Sequence, residues 1–219
     1  MYEQYAVIFD VDGVLIDSGQ IHYESWKKLA NEIGVAFSKQ YFEKTFGKQG
    51  IPTLKKIVSK NVSDKQLHEW VKLKEVYYRE MIKDNLTALP GVIPLIKELK
   101  ENSFKLAVAT SGPPKNTTLL LKTLNINHFF DQIITAADIK NGKPAPDIFL
   151  MVSMNLNISP KNCLVIEDAP VGIKAAKKAK MKCIALTTTH ERSKLVKADL
   201  IIDSLTEINL NIIVELLKS

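Results

Sequence analysis

The sequence has little cysteine and no long apolar run. Two of its 219 residues are cysteines, Cys163 and Cys183, and neither has a C-x-x-C pair or a histidine-rich neighbourhood. Both lie in apolar stretches, which is typical of buried thiols. We therefore expect no zinc or redox site, while the sequence leaves undecided whether the two cysteines form a disulfide. No apolar stretch reaches a membrane-spanning length, and no secretion signal is recognisable. We therefore expect a cytoplasmic protein.

The sequence also lacks any block of basic charge. Its 30 Lys and Arg residues exceed its 24 Asp and Glu residues, which gives a net charge of +6 at pH 7. No run of five or more basic residues occurs, whereas nucleic-acid-binding proteins cluster such side chains on one face. The distribution is typical of a solvated surface. We expect no nucleic acid and no membrane as partner, and a monomer or weak dimer in solution.

Six short apolar runs indicate buried β-strands. Because apolar and polar residues do not alternate within them, the strands are expected to be covered on both faces. The predicted strands are residues 6–9, 106–109, 132–135, 163–166, 183–187 and 200–202. Helical patterns separate most of them, and this alternation predicts an α/β fold with a Rossmann-like parallel sheet and helices on both faces.

Residues 17–85 interrupt the alternation. This segment has no convincing buried strand and instead shows helical stripes such as Trp26, Leu29 and Ile33. We therefore predict two domains. The first is an α/β core made of residues 1–16 and 86–219, and the second is a helical insert, residues 17–85, placed after the first strand.

Polar side chains stand at or beyond the carboxyl ends of several predicted strands, where ligands bind in open parallel sheets. They are Asp10, Asp12, Thr110, Ser111, Lys143, Glu167 and Asp168. Clustered carboxylates repel one another unless a cation intervenes, and hard oxygen ligands suit Mg²⁺. A lysine and a hydroxyl can hold phosphoryl oxygens, and an aspartate can attack phosphorus. The set points to magnesium-dependent phosphoryl transfer.

Four segments, in order, resemble the four motifs of the haloacid dehalogenase superfamily. They are FDVDGVLIDS at 9–18, ATS at 109–111, GKPAPDIF at 142–149 and IEDAPVGIKAA at 166–176. A lone D-x-D-G would be a weak signal, but four motifs in family order are specific, and the resemblance spans nearly the whole chain. The helical insert is similar to the cap domain of the branch that contains β-phosphoglucomutase and phosphoglycolate-type phosphatases.

The resemblance implies roles for the matching residues. Asp10 is implied as the nucleophile and Asp12 as the acid/base, while Thr110 and Lys143 bind the transferring phosphoryl group. The implied cofactor is Mg²⁺, with Asp10, the backbone carbonyl of Asp12, and Asp168 as ligands and Glu167 beside them. The founding dehalogenases lack a carboxylate at the position of Asp12, so its presence favours phosphate substrates.

Further candidate phosphate contacts are less specific. Ser111 and Gly112 follow Thr110 in the second motif. In the insert, His22 matches a histidine of β-phosphoglucomutase and could contact substrate, but it could equally be a half-exposed helix histidine. Lys74 interrupts an apolar helical stripe, so it could face the active site or could extend its ammonium group to solvent. Lys48 is a loop lysine that could bind phosphate or remain solvated.

The sequence favours a phosphatase over a mutase. A mutase must hold a second phosphate in its cap, and the resemblance implies an arginine for this task where Gly50 stands here. The predicted function is hydrolysis of a small phosphorylated metabolite, of the sugar phosphate or phosphoglycolate class, through an aspartyl-phosphate. The alternative is a β-phosphoglucomutase-type phosphosugar mutase. A binding module without activity would predict a damaged catalytic set, which the sequence does not show.

Overall fold

The chain divides into two compact units. The computed structural model describes residues 2–45, 50–59 and 61–219, with the backbone alone at 84–85. The core unit is Met1–Asp17 with Thr87–Ser219, and the helical unit is Ser18–Leu86. Each division lies one residue from the boundary predicted from the sequence.

Strands and helices alternate in the core unit, and helices fill the described part of the other. The strands are β1 Ala6–Phe9, β2 Lys105–Ala109, β3 Gln132–Ile134, β4 Cys163–Glu167, β5 Lys182–Leu186 and β6 Leu200–Ile202. The α-helices are α1 Gly19–Glu32, α2 Lys39–Thr45, α3 Gly50–Lys55, α4 Asp64–Asn85, α5 Val92–Glu101, α6 Pro114–Thr123, α7 Asp147–Leu156, α8 Pro170–Lys178 and α9 Leu210–Lys218. Short 3₁₀ helices are Asn127–Phe129, Pro160–Asn162, Arg192–Lys194 and Leu205–Glu207.

The six strands form one parallel sheet in the order β3-β2-β1-β4-β5-β6. Ile8 of β1 lies beside Ala107 of β2 and Val165 of β4, so β1 is central. The predicted Rossmann-like α/β fold is confirmed. Five strand boundaries differ from the prediction, each by one residue. Strands β2 and β5 begin one residue earlier, β3 and β5 end one residue earlier, and β4 ends one residue later, so that Glu167 is the last residue of β4 rather than the first after it.

Helices cover the sheet because their apolar residues recur at helical spacing. On one face, α7 and α8 pack over β1 and β4, with Phe149 and Ile173 buried against Ile8 and Val165. Helices α5 and α9 contact β2 and β4 with residues outside that cluster, which places them on the other face. The β1 strand is therefore fully buried, and the residue that follows it emerges from the middle of the sheet.

At each edge of the sheet, an aspartate directly before the edge strand binds the neighbouring strand. Before β3, Asp131 accepts a hydrogen bond from Leu106 N at 2.9 Å and pairs with Lys100 Nζ at 2.6 Å. Before β6, Asp199 accepts from Cys183 N at 2.8 Å and pairs with Lys177 Nζ at 2.6 Å. The carboxylates extend the strand pairing by one bond at both edges.

The two cysteines are free and buried. Cys163 begins β4 and Cys183 lies on β5, where its neighbour across the ladder is Val165. The disulfide left open by the sequence is therefore not formed. Burial raises the pKa of the Cys163 thiol to about 12, which keeps it protonated and unreactive.

The helical unit has its own core. Trp26 and Leu29 of α1 pack with Phe42, Leu54 and Leu67. Helix α4 begins after Ser63, whose side chain accepts a hydrogen bond from a backbone N–H of the first turn, as N-cap serines do. Among the described residues, no helix combines the length and apolarity needed to cross a membrane.

Candidate active site

Asp10 follows β1 at the carboxyl edge of the sheet. Its backbone N–H donates to Ile166 O at 3.0 Å, which continues the pairing of β1 with β4 and holds the residue in line with the strand. Its side chain is 10% exposed, and its Oδ1 accepts a hydrogen bond from Lys143 Nζ at 2.6 Å. Within the described ranges, Oδ2 of Asp10 has no hydrogen-bond partner. One carboxylate oxygen is thus held and the other is available.

Asp12 lies in the tight turn that follows Asp10. Gly13 has a φ of +78°, a backbone conformation that a side chain would strain, and its N–H donates to Ile16 O at 2.8 Å. A Cβ on Gly13 would also lie 2.2 Å from Asp168 Oδ2, so only glycine allows this close approach. The turn brings the segment that carries Asp12 against Asp168.

Lys143 is the centre of the polar cluster. Besides Asp10, its Nζ donates to Glu167 Oε1 at 2.7 Å and to Ala109 O at 3.1 Å, and it lies 5.1 Å from the centroid of the Phe149 ring. The side chain is 5% exposed. The lysine therefore joins the ends of β1, β2 and β4 through one ammonium group.

Both carboxylate oxygens of Glu167 are engaged by the protein. Oε1 accepts from Lys143, and Oε2 accepts from the backbone N–H groups of Asp168 and Ala169 at 3.0 Å each. Gly172 of α8 makes room for this side chain, because a Cβ there would lie 1.7 Å from Oε1. The geometry favours Glu167 as the residue that orients Lys143 rather than as a direct metal ligand.

Asp168 is buried and held by a residue that the sequence analysis did not identify. Thr189, in the loop after β5, donates its hydroxyl hydrogen to Asp168 Oδ2. The available signal was three consecutive threonines at the carboxyl end of a predicted strand, a polar run at the same sheet edge as the other candidates.

The electrostatics reflect a surplus of buried negative charge. Burial raises the pKa of Asp10 to about 7, helped by the charges of Glu167 and Asp12 and opposed by Lys143. Burial, with the charges of Glu167 and Asp10, raises the pKa of Asp168 well above its usual value. Burial alone would lower the pKa of Lys143, but its carboxylate partners outweigh this and raise it. The site therefore keeps a charged lysine among carboxylates that repel one another.

Thr110, Ser111 and Gly112 follow β2 at the same edge. Thr110 is 1% exposed, and its Oγ1 accepts from Gly112 N at 3.0 Å, so the hydroxyl closes the turn. Ser111 is exposed. The structure places all three at the end of the strand next to β1, in the turn after Ala109, whose carbonyl binds Lys143.

In the helical unit, His22 and Lys74 lie together. Lys74 is 2% exposed, and its Nζ lies 2.8 Å from His22 Nδ1 and 3.0 Å from Glu75 Oε1. A lysine ammonium can only donate, so Nδ1 accepts and the neutral imidazole carries its proton on Nε2. The ring of His22 stacks on Tyr78 with centroids 4.1 Å apart. Lys74 does not extend to solvent, while the third cap candidate, Lys48, lies outside the described residues.

The carboxylates could hold a magnesium ion whose remaining ligands are water molecules and the substrate phosphate. Within the described part of the chain, no three His, Cys, Asp or Glu side chains are arranged as a complete metal cage. Magnesium usually needs less, since one or two carboxylates, waters and substrate phosphate complete its shell. Asp10 and Asp168 provide two buried carboxylates whose raised pKa values indicate a need for positive charge. The donor set fits this ion.

Comparison with known proteins was made from both sequence and structure. A family described as haloacid dehalogenase-like hydrolase matches residues 7–186. The chain is 33% identical to a phosphorylated carbohydrates phosphatase of Thermotoga maritima over 80% of this chain and 81% of that protein. It is 31% identical to a β-phosphoglucomutase of Bacillus subtilis over 96% and 94%. A hydrolase structure of the same family from Entamoeba histolytica superposes with a TM-score of 0.91 at 30% identity, covering 98% and 100%.

Proposed function

This chain belongs to the haloacid dehalogenase-like hydrolase family, and we propose that it is a magnesium-dependent phosphatase of small phosphorylated sugars. The matched region spans most of the chain and includes all four polar segments at the sheet edge. The relatives include enzymes named as sugar phosphate phosphatases, such as the one from Thermotoga maritima. Their names support the substrate class proposed for this protein.

The observation that carries the proposal is the state of Asp10. Lys143 holds its Oδ1 at 2.6 Å, while Oδ2 is left for an incoming atom at the ligand-binding edge of a parallel sheet. A carboxylate fixed in this way is pre-oriented for in-line attack, and phosphoryl transfer depends mainly on such positioning and on charge neutralisation. Lys143 supplies a permanent positive charge beside the attacking oxygen.

The reaction proceeds in two displacements. Asp10 Oδ2 attacks phosphorus, the phosphorus–oxygen bond to the sugar breaks, and Asp12 gives its proton to the leaving oxygen. Water then attacks the aspartyl-phosphate while Asp12 takes up a proton, which releases inorganic phosphate and restores Asp10. Lys143 holds the carboxylate through both steps, and Thr110 closes the turn that borders the phosphoryl position.

Magnesium would be held by the side chains of Asp10 and Asp168 and by the backbone carbonyl of Asp12. When bound, it neutralises the phosphate oxygens and the surrounding carboxylates, and so favours attack by an anionic nucleophile on an anionic substrate. Glu167 stays with Lys143 and two backbone amides, so it acts by orientation. Asp10 and Asp168 are then the two side-chain ligands.

A phosphosugar mutase is the second candidate, and the 31% identity to the Bacillus subtilis enzyme over nearly the full chain is the observation in its favour. The two functions share the core chemistry and differ in the fate of the aspartyl-phosphate. Water accepts the phosphoryl group in a phosphatase, whereas a second sugar phosphate accepts it in a mutase. Gly50, which stands where the resemblance implies an arginine, favours water.

Phosphate release from a panel of hexose, pentose and hexitol phosphates, with phosphoglycolate included, tests the proposal. We expect release that requires Mg²⁺ and that Asp10→Asn abolishes, because the amide is a far weaker nucleophile. Thermal unfolding should show that this variant stays folded. Formation of glucose 6-phosphate from β-glucose 1-phosphate with a bisphosphate primer, faster than phosphate release, would instead identify a mutase. Absence of both activities would refute the proposal.

A further inference from the structure

The loop after β5 contacts two of the segments that form the site. Thr187, Thr188 and Thr189 follow the strand consecutively, and each hydroxyl donates to a different part of the core unit. Thr187 donates to Asp203 Oδ1 at 2.6 Å, Thr188 to Gly13 O at 2.5 Å, and Thr189 to Asp168. Within the core unit, the loop thus connects the ends of β6, β1 and β4.

This connection is not a consequence of strand pairing. In the sheet, β5 lies next to β4 and is two strands from β1, a distance of about 10 Å. Three extended residues span about that length. The loop therefore extends past the end of β4, where Thr188 contacts the Gly13 turn and the next residue, Thr189, contacts Asp168.

We propose that Thr188 and Thr189 are positioning residues that set the distance between the turn carrying Asp12 and the carboxylate of Asp168. Thr189 fixes the carboxylate, and Thr188 fixes the carbonyl of Gly13, next to the proposed ligand carbonyl of Asp12. The inference rests on the proposed function, since it concerns the ligands of its magnesium ion.

The hydroxyl of Thr189 is itself oriented. Its oxygen lies 2.9 Å from His190 Nδ1, and a hydroxyl has one hydrogen to donate. With that hydrogen directed at Asp168, the contact with His190 is a hydrogen bond in the tautomer that carries its proton on Nδ1. In that tautomer the imidazole N–H donates to the hydroxyl oxygen and the hydroxyl donates to the carboxylate, so His190 helps to orient the threonine hydroxyl.

Packing at Gly13 adds a second constraint. A Cβ on Gly13 would lie 2.8 Å from Thr189 Cγ2 as well as 2.2 Å from Asp168 Oδ2. The methyl group of Thr189 thus lies close to the turn while its hydroxyl binds the carboxylate. Serine would keep the hydrogen bond and lose the methyl contact, whereas valine would keep the shape and lose the bond.

The test compares Thr189→Val with Thr189→Ser and with Thr187→Val. The last variant removes the same kind of hydroxyl from the same loop, but its hydrogen bond is to Asp203, which follows the edge strand β6, and not to Asp168 or Gly13. Magnesium binding is measured by titration calorimetry on the protein without substrate, phosphate release is measured at saturating metal, and thermal unfolding is measured for each protein.

We expect Thr189→Val to weaken magnesium binding about 10- to 100-fold, the usual effect of removing a hydrogen-bond partner of a metal ligand. Thr189→Ser should restore most of the affinity, and Thr187→Val should bind magnesium like the wild type. Wild-type affinity in Thr189→Val, or an equal loss in Thr187→Val, would overturn the positioning role while leaving the proposed function standing. A wild-type protein that neither binds magnesium nor releases phosphate would overturn both.

Discussion

Gly172→Ala places one methyl group where the site has no room for it. The added Cβ would lie 1.7 Å from Glu167 Oε1 and 1.9 Å from its Cδ. The Glu167 side chain is 2% exposed, and both its oxygens are bound, so it cannot move aside without losing hydrogen bonds. The substitution therefore displaces Glu167, the residue that orients Lys143.

The expected magnitudes differ for stability and for activity. Overpacking costs about 1–3 kcal/mol, and the lost bonds to Glu167 cost about 1.5–3 kcal/mol, while alanine regains about 1 kcal/mol of helix propensity. The net loss is about 3 kcal/mol, which lowers the melting temperature by about 6–12 °C in a chain of this length. Misplacing Lys143 by about 1 Å should lower kcat about 100-fold.

The assay is phosphate release at a temperature well below the melting transition, so that the folded fraction stays near one. Gly142→Ala is the matched control, since a Cβ there meets no atom within 4 Å and should leave both activity and melting temperature near wild type. Full activity in Gly172→Ala, with Glu167 shifted in its structure, would show that Glu167 does not control Lys143.

Two further predictions concern positions outside the carboxylate cluster. The pKa of Asp131 is lowered because its bonds to Lys100 and Leu106 N outweigh burial, which alone would raise it. This stabilisation is present above the unfolded pKa near 3.9 and lost as pH falls through the folded value. In urea unfolding, Asp131→Asn should therefore lower the free energy of unfolding by about 1 kcal/mol at pH 7 and by almost nothing near pH 2. An equal loss at both pH values would contradict the contribution of the ion pair. Lys74→Met should lower the melting temperature by several degrees, because methionine cannot donate to His22 Nδ1 or to Glu75 and so breaks a buried charge pair from one side. If the helical unit takes part in substrate recognition, phosphate release measured well below the melting transition should also fall. Unchanged kcat and KM would assign Lys74 to structure alone.

Much of the architecture was predictable from local patterns. Fully buried strands lack alternation and helices repeat their apolar residues at helical spacing, so the six strands and the helical segment could be placed within about one or two residues. The polar motif residues lie at the carboxyl ends of these strands, and a parallel sheet brings all its carboxyl ends to one edge. Asp10, Lys143, Glu167 and Asp168 could be brought together in this way without knowledge of any side-chain position.

Other features depend on how the backbone folds and on atoms that are distant along the chain. The residue type at position 167 does not indicate that both carboxylate oxygens are engaged, because Lys143 comes from another segment and the N–H groups of Asp168 and Ala169 are directed at the side chain only by the turn into α8. The need for glycine at 172 arises from a carboxylate five residues earlier, not from an unusual φ. The aspartates before both edge strands likewise have partners in neighbouring strands and helices.

The sequence by itself determined the class of fold and the types of side chain at the sheet edge, because the type and spacing of residues decide which segments are buried and which form strands or helices. Only the tertiary structure decided which oxygen of Asp10 is held, which carboxylate orients Lys143, and that Thr189 reaches Asp168. Those choices depend on differences of about 1 Å between segments that meet only after folding, and residue patterns carry no information at that scale.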